Sequence, residues 1–246
     1  MARAEVHGRL MILRWLPGTV ADISVETPTS RTIGFDIPDW PGHLAGQHVD
    51  VRLTAEDGYS AQRSYSLAAP TDEDRIEIMV QRVPGGEVSS FLVDELLPGG
   101  VIELRGPIGG WFTWQSTLAT PVSLVAGGSG IVPLMAMIRA RTRAGSDAGF
   151  KLLYSVRGPA DEYDADELTK HSVDVTTIQT RSQSPSARPA GRLRPADLDA
   201  LWPVAAGARA YVCGPAGFVE SAAKALVDRA ADPDTIRTER FGPSGE

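Results

Sequence analysis

The pattern of apolar residues changes once along the chain, near residue 118, and this change constrains the fold more than any other feature. Before it, short alternating or β-branched segments are separated by turn residues such as those of "PTS", "EDG" and "PGG". After about residue 120, apolar strands alternate with helical segments. A chain of 246 residues is long enough for two ordinary domains. We therefore expect two domains, residues 1–117 and residues 118–246, joined within "TWQSTLATP".

Six short strands are predicted in the first half, and their regular spacing indicates an antiparallel six-stranded β-barrel. They lie in "TVADISVETP", "SRTIGFDIP", "HVDVRL", "QRSYSLAA", "RIEIMVQRV" and "VIELRGPIG". One helix is predicted in "SSFLVDELLPGG", with Ser89 or Ser90 as its N-cap and Leu97 in its apolar stripe. The glycines and proline that follow would end it.

The second half predicts an α/β domain with a parallel five-stranded sheet and helices on both faces. The strands are expected in "PVSLVA", "FKLLYSV", "VDVTTIQT", "RAYVC" and "TIRTERF". The main helices are expected in "GIVPLMAMIRARTRAG" and "PAGFVESAAKALVDRAA", with shorter ones in "DADELTKH" and "PADLDALWP".

Composition narrows the function classes. The net charge of −7 argues against nucleic acid as a partner. One cysteine, Cys213, excludes an intrachain disulfide and an all-cysteine cluster, and the four scattered histidines lack metal-ligand spacing, so no metal site is expected. No apolar run reaches the ~20 residues that span a bilayer, so we expect no membrane insertion and a cytoplasmic protein.

A glycine-rich turn joins the first strand and helix of the second half. In "AGGSGIVPLM", Gly128, Ser129 and Gly130 allow a tight turn and close backbone approach. The helix that follows offers free amides and a positive dipole end, which suit a pyrophosphate. Close packing without a ligand is the alternative, since Pro133 stands where the dinucleotide fingerprint has its last glycine.

Three further residues end strands of the second half. Arg157 follows the second strand and Arg181 the third, and ligands of parallel sheets bind at such carboxyl ends. Two arginines there would suit a phosphate monoester, although solvated loop arginines are the alternative. Cys213 ends the fourth strand, where a small buried thiol is the alternative to a site residue.

In the first half, "QRSYSLAAP" places Arg63, Tyr65 and Ser66 within four residues. Period-2 alternation alone makes this a polar strand with Arg63 and Tyr65 on one face. The residues also suit a phosphate, a planar ring and a ring nitrogen, respectively. Gly85 and Gly86, ahead of the predicted helix, form a second candidate anion site.

In this order and at this spacing, the motifs resemble the ferredoxin–NADP reductase superfamily, and most of all the reductase components of bacterial oxygenases. The resemblance rests on "AGQHVDV", "RSYSLA", "VPGGEVSSFL", "GPIGGWF", "AGGSGIVPLM", "YSVR", "YVCGPAGF" and "ERFGPSG", which cover nearly the whole chain.

The resemblance implies that the barrel binds FAD and that the second domain binds NADPH or NADH. Its implied catalytic residues are Ser66, Cys213 and Glu239. Its implied FAD-binding residues are Arg63, Tyr65, Ser66, Gly86, Val88, Ser89 and Phe241. Its implied dinucleotide-binding residues are Gly128, Ser129, Gly130, Arg157, Arg181, Cys213 and Gly214.

The implied activity is transfer of hydride from NAD(P)H to FAD N5, followed by transfer of single electrons. Relatives often carry a [2Fe–2S] domain bound by four cysteines, which one cysteine cannot supply. The expected acceptor is therefore a separate protein, a ferredoxin or a metalloenzyme component of an oxygenase. A reductase of free flavin or ferric complexes and a non-catalytic nucleotide-binding module remain as alternatives.

Overall fold

The computed structural model describes residues 3–6, 9–163, 165–182, 188–201, 208–229 and 231–242. The chain divides into two compact units. The first comprises Met1–Gln115 with Met135–Met137, and the second comprises Ser116–Leu134 with Ile138–Glu246. No helix in the described ranges is long and apolar enough to cross a lipid bilayer.

The first unit contains eight strands. They are β1 (Arg3–Val6), β2 (Arg9–Ile12), β3 (Leu16–Thr27), β4 (Ser30–Asp36), β5 (His48–Thr54), β6 (Ser60–Ser66), β7 (Arg75–Gln81) and β8 (Val101–Ile108). Strands β1 and β2 form a separate antiparallel pair that the sequence did not predict.

The other six strands form one antiparallel sheet in the order β6-β5-β8-β3-β4-β7, which confirms the predicted six-stranded domain. A bridge between Leu67, which directly follows β6, and Ile78, in the middle of β7, links the two outer strands, so the sheet curls toward a barrel. Alternate residues such as Ile33, Phe35, Val49 and Val51 are buried in one core, as period-2 alternation requires.

The helix of the first unit begins earlier than predicted. Helix α1 (Glu87–Ser90) continues directly into a π-helical turn at Phe91–Glu95. Its N-cap is Gly86, so the prediction of Ser89 or Ser90 as N-cap is wrong. The Ser89 hydroxyl instead accepts a hydrogen bond from Val83 N (3.1 Å) and lies 3.3 Å from Gly86 O, to which it donates. It therefore fixes the loop in front of the helix.

The second unit contains the predicted parallel five-stranded sheet. Its strands are β9 (Val122–Gly127), β10 (Phe150–Val156), β11 (Asp174–Gln179), β12 (Arg209–Pro215) and β13 (Ile236–Phe241), in the order β11-β10-β9-β12-β13. All four neighbouring pairs are parallel, so the carboxyl ends of the strands share one edge of the sheet.

Three α-helices accompany this sheet: α2 (Ile131–Arg143), α3 (Ala165–Leu168) and α4 (Ala216–Val227). Helix α4 packs on β12 and β13. Val219, Ala222 and Leu226, at helical spacing, are buried in the core on that side. The segment predicted as a helix in "PADLDALWP" is a 3-10 helix at Pro195–Leu201.

Gln47 is a fully buried polar residue that ties together the segments around strand β5. Its side chain accepts a hydrogen bond from Leu44 N (2.7 Å) and donates one to Gly109 O (2.6 Å). Its backbone oxygen accepts from Leu67 N, one residue after Ser66 (3.0 Å). The side chain therefore satisfies two backbone groups, and the backbone of the same residue holds the segment that leaves strand β6.

We expect Gln47→Leu to lower the free energy of unfolding by about 3 kcal/mol, because two backbone groups would lose their partners. Urea denaturation measures this. The matched control is Gln62→Leu on the exposed side of β6, which should change the stability by less than about 0.5 kcal/mol. Equal effects of the two substitutions would contradict the role of Gln47.

Candidate functional site

Strand β6 presents the side chains of "RSYS" on two faces. In the pairing with β5, Arg63 stands opposite Val51 and Tyr65 opposite Val49, on the side that carries the core. Ser66 stands opposite His48 on the other side and is half-buried. The strand assignment is confirmed, and the alternation leaves Arg63 and Tyr65 in one row.

Tyr65 and Arg63 differ in their environment. Tyr65 packs against the edge of the barrel core. Burial raises the pKa of its hydroxyl to about 12, against a smaller lowering effect of Arg63. The Arg63 guanidinium is exposed, and its Nη1 donates a hydrogen bond to Gln62 O (2.6 Å). The row therefore joins a flat aromatic ring to an accessible cation.

The start of helix α1 packs beside strand β6 and offers unpaired amides. Its first helical hydrogen bond runs from Ser90 N to Gly86 O (3.0 Å), so the amides of Glu87, Val88 and Ser89 have no helical partner. Val88 and Ser89 are buried. Backbone amides at the start of a helix are the donors that an anion site uses.

The three glycines of the second unit's turn serve different purposes. Gly128 has φ +56° and no atom within 4 Å of the position a Cβ would take. Its backbone is therefore open to close approach. At Gly130, a Cβ would lie 2.2 Å from Cys213 O, and at Gly127 it would lie 2.7 Å from the Phe218 ring. These two glycines are needed for packing, whereas Gly128 and its half-buried neighbour Ser129 are free to hold a ligand.

Cys213 and Glu239, both predicted as catalytic, lie directly beside each other. They are Cα partners in the parallel pairing of β12 and β13, at the carboxyl edge of the sheet. Burial raises the pKa of the Cys213 thiol well above its ordinary value, and the Glu239 carboxylate raises it further. The thiol is therefore protonated at neutral pH and can donate a hydrogen bond but is not a nucleophile.

Glu239 holds a buried carboxyl group that lacks a full set of partners. Its Oε2 has no hydrogen-bond partner within the described part of the chain. Burial alone raises the pKa of Glu239 to about 7. A carboxyl group in this state exchanges a proton close to neutral pH, which is the property required of an acid or base in catalysis.

The two arginines predicted at the carboxyl edge are brought together. Hydrogen bonds from Thr180 N to Val156 O and from Arg181 N to Arg157 O, both 2.8 Å, extend the pairing of β10 and β11. Arg157 and Arg181 are consequently neighbours on adjacent chains of the sheet, and both side chains are exposed. Two neighbouring exposed arginines are the kind of side chain that binds a phosphate monoester.

Gly214 and Phe241 complete the predicted set. The position a Cβ would take at Gly214 lies 2.8 Å from the Phe218 ring and 3.2 Å from Gly127 Cα, so this residue joins the ends of β12 and β9 closely. Phe241 pairs with Pro215 at the end of β13 and is 37% exposed. It therefore presents an accessible ring at the same edge.

Sequence reasoning missed Gln47 as a supporting residue. The available signal was a polar residue between a glycine and a predicted strand, Gln47 in "AGQHVDV". One of its two side-chain hydrogen bonds goes to Gly109 O, 62 residues away along the chain.

Stability should depend on the protonation of Glu239. Its folded pKa of about 7 exceeds its ordinary value of 4.5. The stabilisation is therefore fully present below about pH 4.5 and is lost as the pH rises through about 7, a loss of up to about 3 kcal/mol. We expect Glu239→Gln to remove this loss, so that the variant gains stability relative to the wild type between about pH 5 and about pH 8.

Urea denaturation at both pH values measures this gain. Glu220→Gln, an exposed carboxylate on α4, controls for the substitution itself. A constant difference between Glu239→Gln and the wild type across the range would refute the raised pKa.

Comparison with known proteins finds one family model that matches each half of the chain. The family model of the oxidoreductase FAD-binding domain matches residues 19–113, and that of the oxidoreductase NAD-binding domain matches residues 124–224. All residues singled out in "RSYS" and around α1 fall in the first range. Those of the glycine turn, the two arginines and Cys213 fall in the second.

Curated relatives match over most of the chain. The reductase component of the naphthalene 1,2-dioxygenase system of Pseudomonas putida, named as a ferredoxin–NAD(P)+ reductase, is 28% identical over 94% of this chain and 70% of its own length. The reductase subunit of an aromatic O-demethylase of an Amycolatopsis species is 29% identical over 94% of this chain and 71% of its own length.

A solved structure shares the fold. The Amycolatopsis cytochrome P450 reductase GcoB superposes with a TM-score of 0.83 and 28% identity, over 97% of this chain and 73% of that one. The two family models, the relatives that match over most of the chain and this superposition all indicate the same family. The chain belongs to the ferredoxin–NADP reductase superfamily and is an FAD-dependent NAD(P)H oxidoreductase.

Proposed function

We propose that this protein transfers hydride from NAD(P)H to N5 of FAD and then passes electrons one at a time to an acceptor on another protein. The observation that carries the proposal is the row of Tyr65 and Arg63 beside the unpaired amides at the start of α1. A ring, a cation and amide donors are the groups that a flavin nucleotide requires.

The residues of the first domain fit FAD. Tyr65 would place its ring against the isoalloxazine, and the Arg63 guanidinium would bind the phosphates. The amides of Val88 and Ser89 would donate further hydrogen bonds to the phosphates. Gly86 keeps the loop close to the helix, since a Cβ there would lie 2.6 Å from Ser89 Oγ. FAD, when bound, accepts two electrons as hydride and releases them singly. The protein contributes binding and orientation.

The residues of the second domain fit a nicotinamide dinucleotide. The open backbone of Gly128, with Ser129 beside it, would hold the pyrophosphate at the start of α2. Gly130 shapes this turn through its packing on β12. Arg157 and Arg181 would bind the 2′-phosphate of NADPH, because their adjacent cations suit a dianion that NADH lacks.

Three residues would act at the reacting atoms. Ser66 would donate a hydrogen bond to the flavin, and Cys213, with Gly214 beside it, would border the nicotinamide. Phe241 would help to close the flavin site. The protonated Cys213 thiol can orient the ring without forming a covalent bond. Glu239, with its pKa of about 7, would take up or release a proton near neutral pH.

The proposed acceptor is a ferredoxin or a metalloenzyme component of an oxygenase. This proposal rests on the relatives, whose names assign them to dioxygenase and demethylase systems. Since NADH and NADPH are supplied by metabolism inside cells, we propose a cytoplasmic location. We also propose residues 1–117 as the FAD domain and 118–246 as the NAD(P) domain, boundaries close to the division after Gln115.

Tyr65→Ala tests the flavin site. We expect the purified variant to bind FAD at least about tenfold more weakly than the wild type, because loss of a stacked ring costs roughly 1–3 kcal/mol. Titration of apoprotein with FAD, followed by flavin fluorescence, measures the dissociation constant. Tyr65→Phe keeps the ring and should keep the affinity. Unchanged FAD affinity in Tyr65→Ala would rule out this placement of the flavin.

Replacement of both arginines tests the dinucleotide. We expect Arg157→Ala with Arg181→Ala to raise the KM for NADPH about 100-fold while that for NADH changes less than about threefold, because only NADPH carries the 2′-phosphate. Anaerobic bleaching of the flavin bands at varied NADPH or NADH concentration measures both. Arg14→Ala, an exposed arginine of the other unit, is the control. Equal effects on the two nucleotides would contradict the assignment.

A further inference from the structure

The row that contains Arg63 and Tyr65 extends further along the same face. Side chains alternate along β6, so Ala61 shares the face of Arg63 and Tyr65. Tyr59 continues the alternation immediately before the strand, since its carbonyl oxygen accepts a hydrogen bond from Ala55 N (2.8 Å). The face therefore carries an aromatic ring at each end, with the cation and a small alanine between them.

Tyr59 is exposed yet held in place. Its ring is 58% exposed, and its hydroxyl donates a hydrogen bond to Glu87 Oε2 (3.0 Å). The backbone of the turn is fixed as well, because Tyr59 N donates to Asp57 Oδ1 (3.0 Å) and Gly58 N to Ala55 O (3.0 Å). A rigid, flat, apolar surface is thereby presented to solvent. Such a surface binds a planar ligand at little cost in conformational entropy.

The surroundings of Tyr59 place it beside the phosphate-binding groups. Glu87 is the first residue of α1, whose next amides are those of Val88 and Ser89. The hydrogen bond from the hydroxyl to Glu87 raises the pKa of Tyr59, and the Arg63 guanidinium is close enough to lower it in part. Tyr59 and Arg63 therefore lie within electrostatic reach of each other across Ala61.

The order of the groups along the strand matches the order of the parts of FAD. Tyr65 and Tyr59 are six residues apart, or about 20 Å at about 3.4 Å per residue, with Arg63 between them. If the isoalloxazine lies at Tyr65 and the diphosphate at Arg63, the remaining part of the molecule points toward Tyr59. That part is adenosine, whose adenine is a planar base.

We propose that Tyr59 is a further FAD-binding residue, on whose ring the adenine stacks, and that it selects FAD over FMN. This inference rests on the proposed flavin site. FMN shares the isoalloxazine and one phosphate with FAD but lacks the adenylate, so Tyr59 distinguishes the two. Glu87 acts as a positioning residue, since it touches the Tyr59 hydroxyl and fixes the plane of the ring.

The test compares the wild-type apoprotein with three variants, each titrated separately with FAD and with FMN. We expect Tyr59→Ala to weaken FAD binding by roughly 10- to 100-fold, as loss of one stacked base does. FMN affinity should change less than about twofold. Tyr59→Phe keeps the ring, loses the hydroxyl bond to Glu87, and should retain FAD affinity within about fivefold.

The variant Glu87→Gln and the titration with FMN distinguish a role of the Tyr59 ring from a general loss of flavin binding. Glu87→Gln keeps a hydrogen-bond acceptor for the Tyr59 hydroxyl and should retain FAD affinity within about threefold. Unchanged FAD affinity in Tyr59→Ala would overturn the proposal, and so would an equal loss of FAD and FMN affinity. Failure of the wild type to bind either flavin would overturn the proposed function itself. Binding of both flavins with equal affinity by the wild type would overturn only the selectivity of Tyr59.

Discussion

The contact on which the second unit depends is the close approach of a glycine turn to the end of a neighbouring strand. Gly130 lies so near the Cys213 carbonyl that even a methyl group would overlap with it. Gly127 and Gly214 make a similar approach around the Phe218 ring. Because the ends of β9 and β12 are held together in this way, helix α2 begins beside Cys213. The open amide region at Gly128 consequently lies at the same edge as the thiol.

This arrangement has an energetic cost at Glu239. The register of β13 places its carboxyl group next to a buried thiol, where burial raises its pKa to about 7 and one oxygen lacks a partner. A glutamine would fit the same space without a buried charge. Retention of an ionisable group at a position that disfavours its ionisation is typical of sites that exchange protons. The same burial keeps Cys213 protonated and limits it to orientation.

Much of the fold was predictable because it depends on local periodicity. All eleven strands of the two main sheets were located from alternation or from short apolar runs, and parallel pairing follows from strand–helix alternation. The start of α1 was not predictable in this way. Serine before an apolar run is the usual signal for an N-cap, but Ser89 bonds back to Val83 N. The helix could therefore begin at Glu87.

At the candidate sites, too, some features could be predicted from the sequence and others could not. Strand–helix alternation placed Arg157 and Arg181 together at the carboxyl edge, whereas motifs identified Cys213 and Glu239 only as separate residues. No local signal states which residues face each other across strands. Their pairing depends on the register of β12 with β13 and of β10 with β11, which the whole sheet sets. Gln47 shows the same limit, since its partner at Gly109 is distant in sequence.

At the proposed sites, the two units would hold nucleotides by different physical means. In the second unit, the turn offers backbone at Gly128, whose φ of +56° disfavours any side chain. At Gly127 and Gly130 a side chain would overlap with Phe218 and with the Cys213 carbonyl, so packing fixes the shape of the turn. In the first unit, the outer strand β6 carries a row of side chains on one face. Their spacing follows from the alternation of side chains along a strand. Substitution along that row changes which ligand parts are recognised without disturbing the barrel. Selectivity for the flavin is therefore adjustable at positions such as Tyr59, whereas the shape of the dinucleotide turn is fixed by packing.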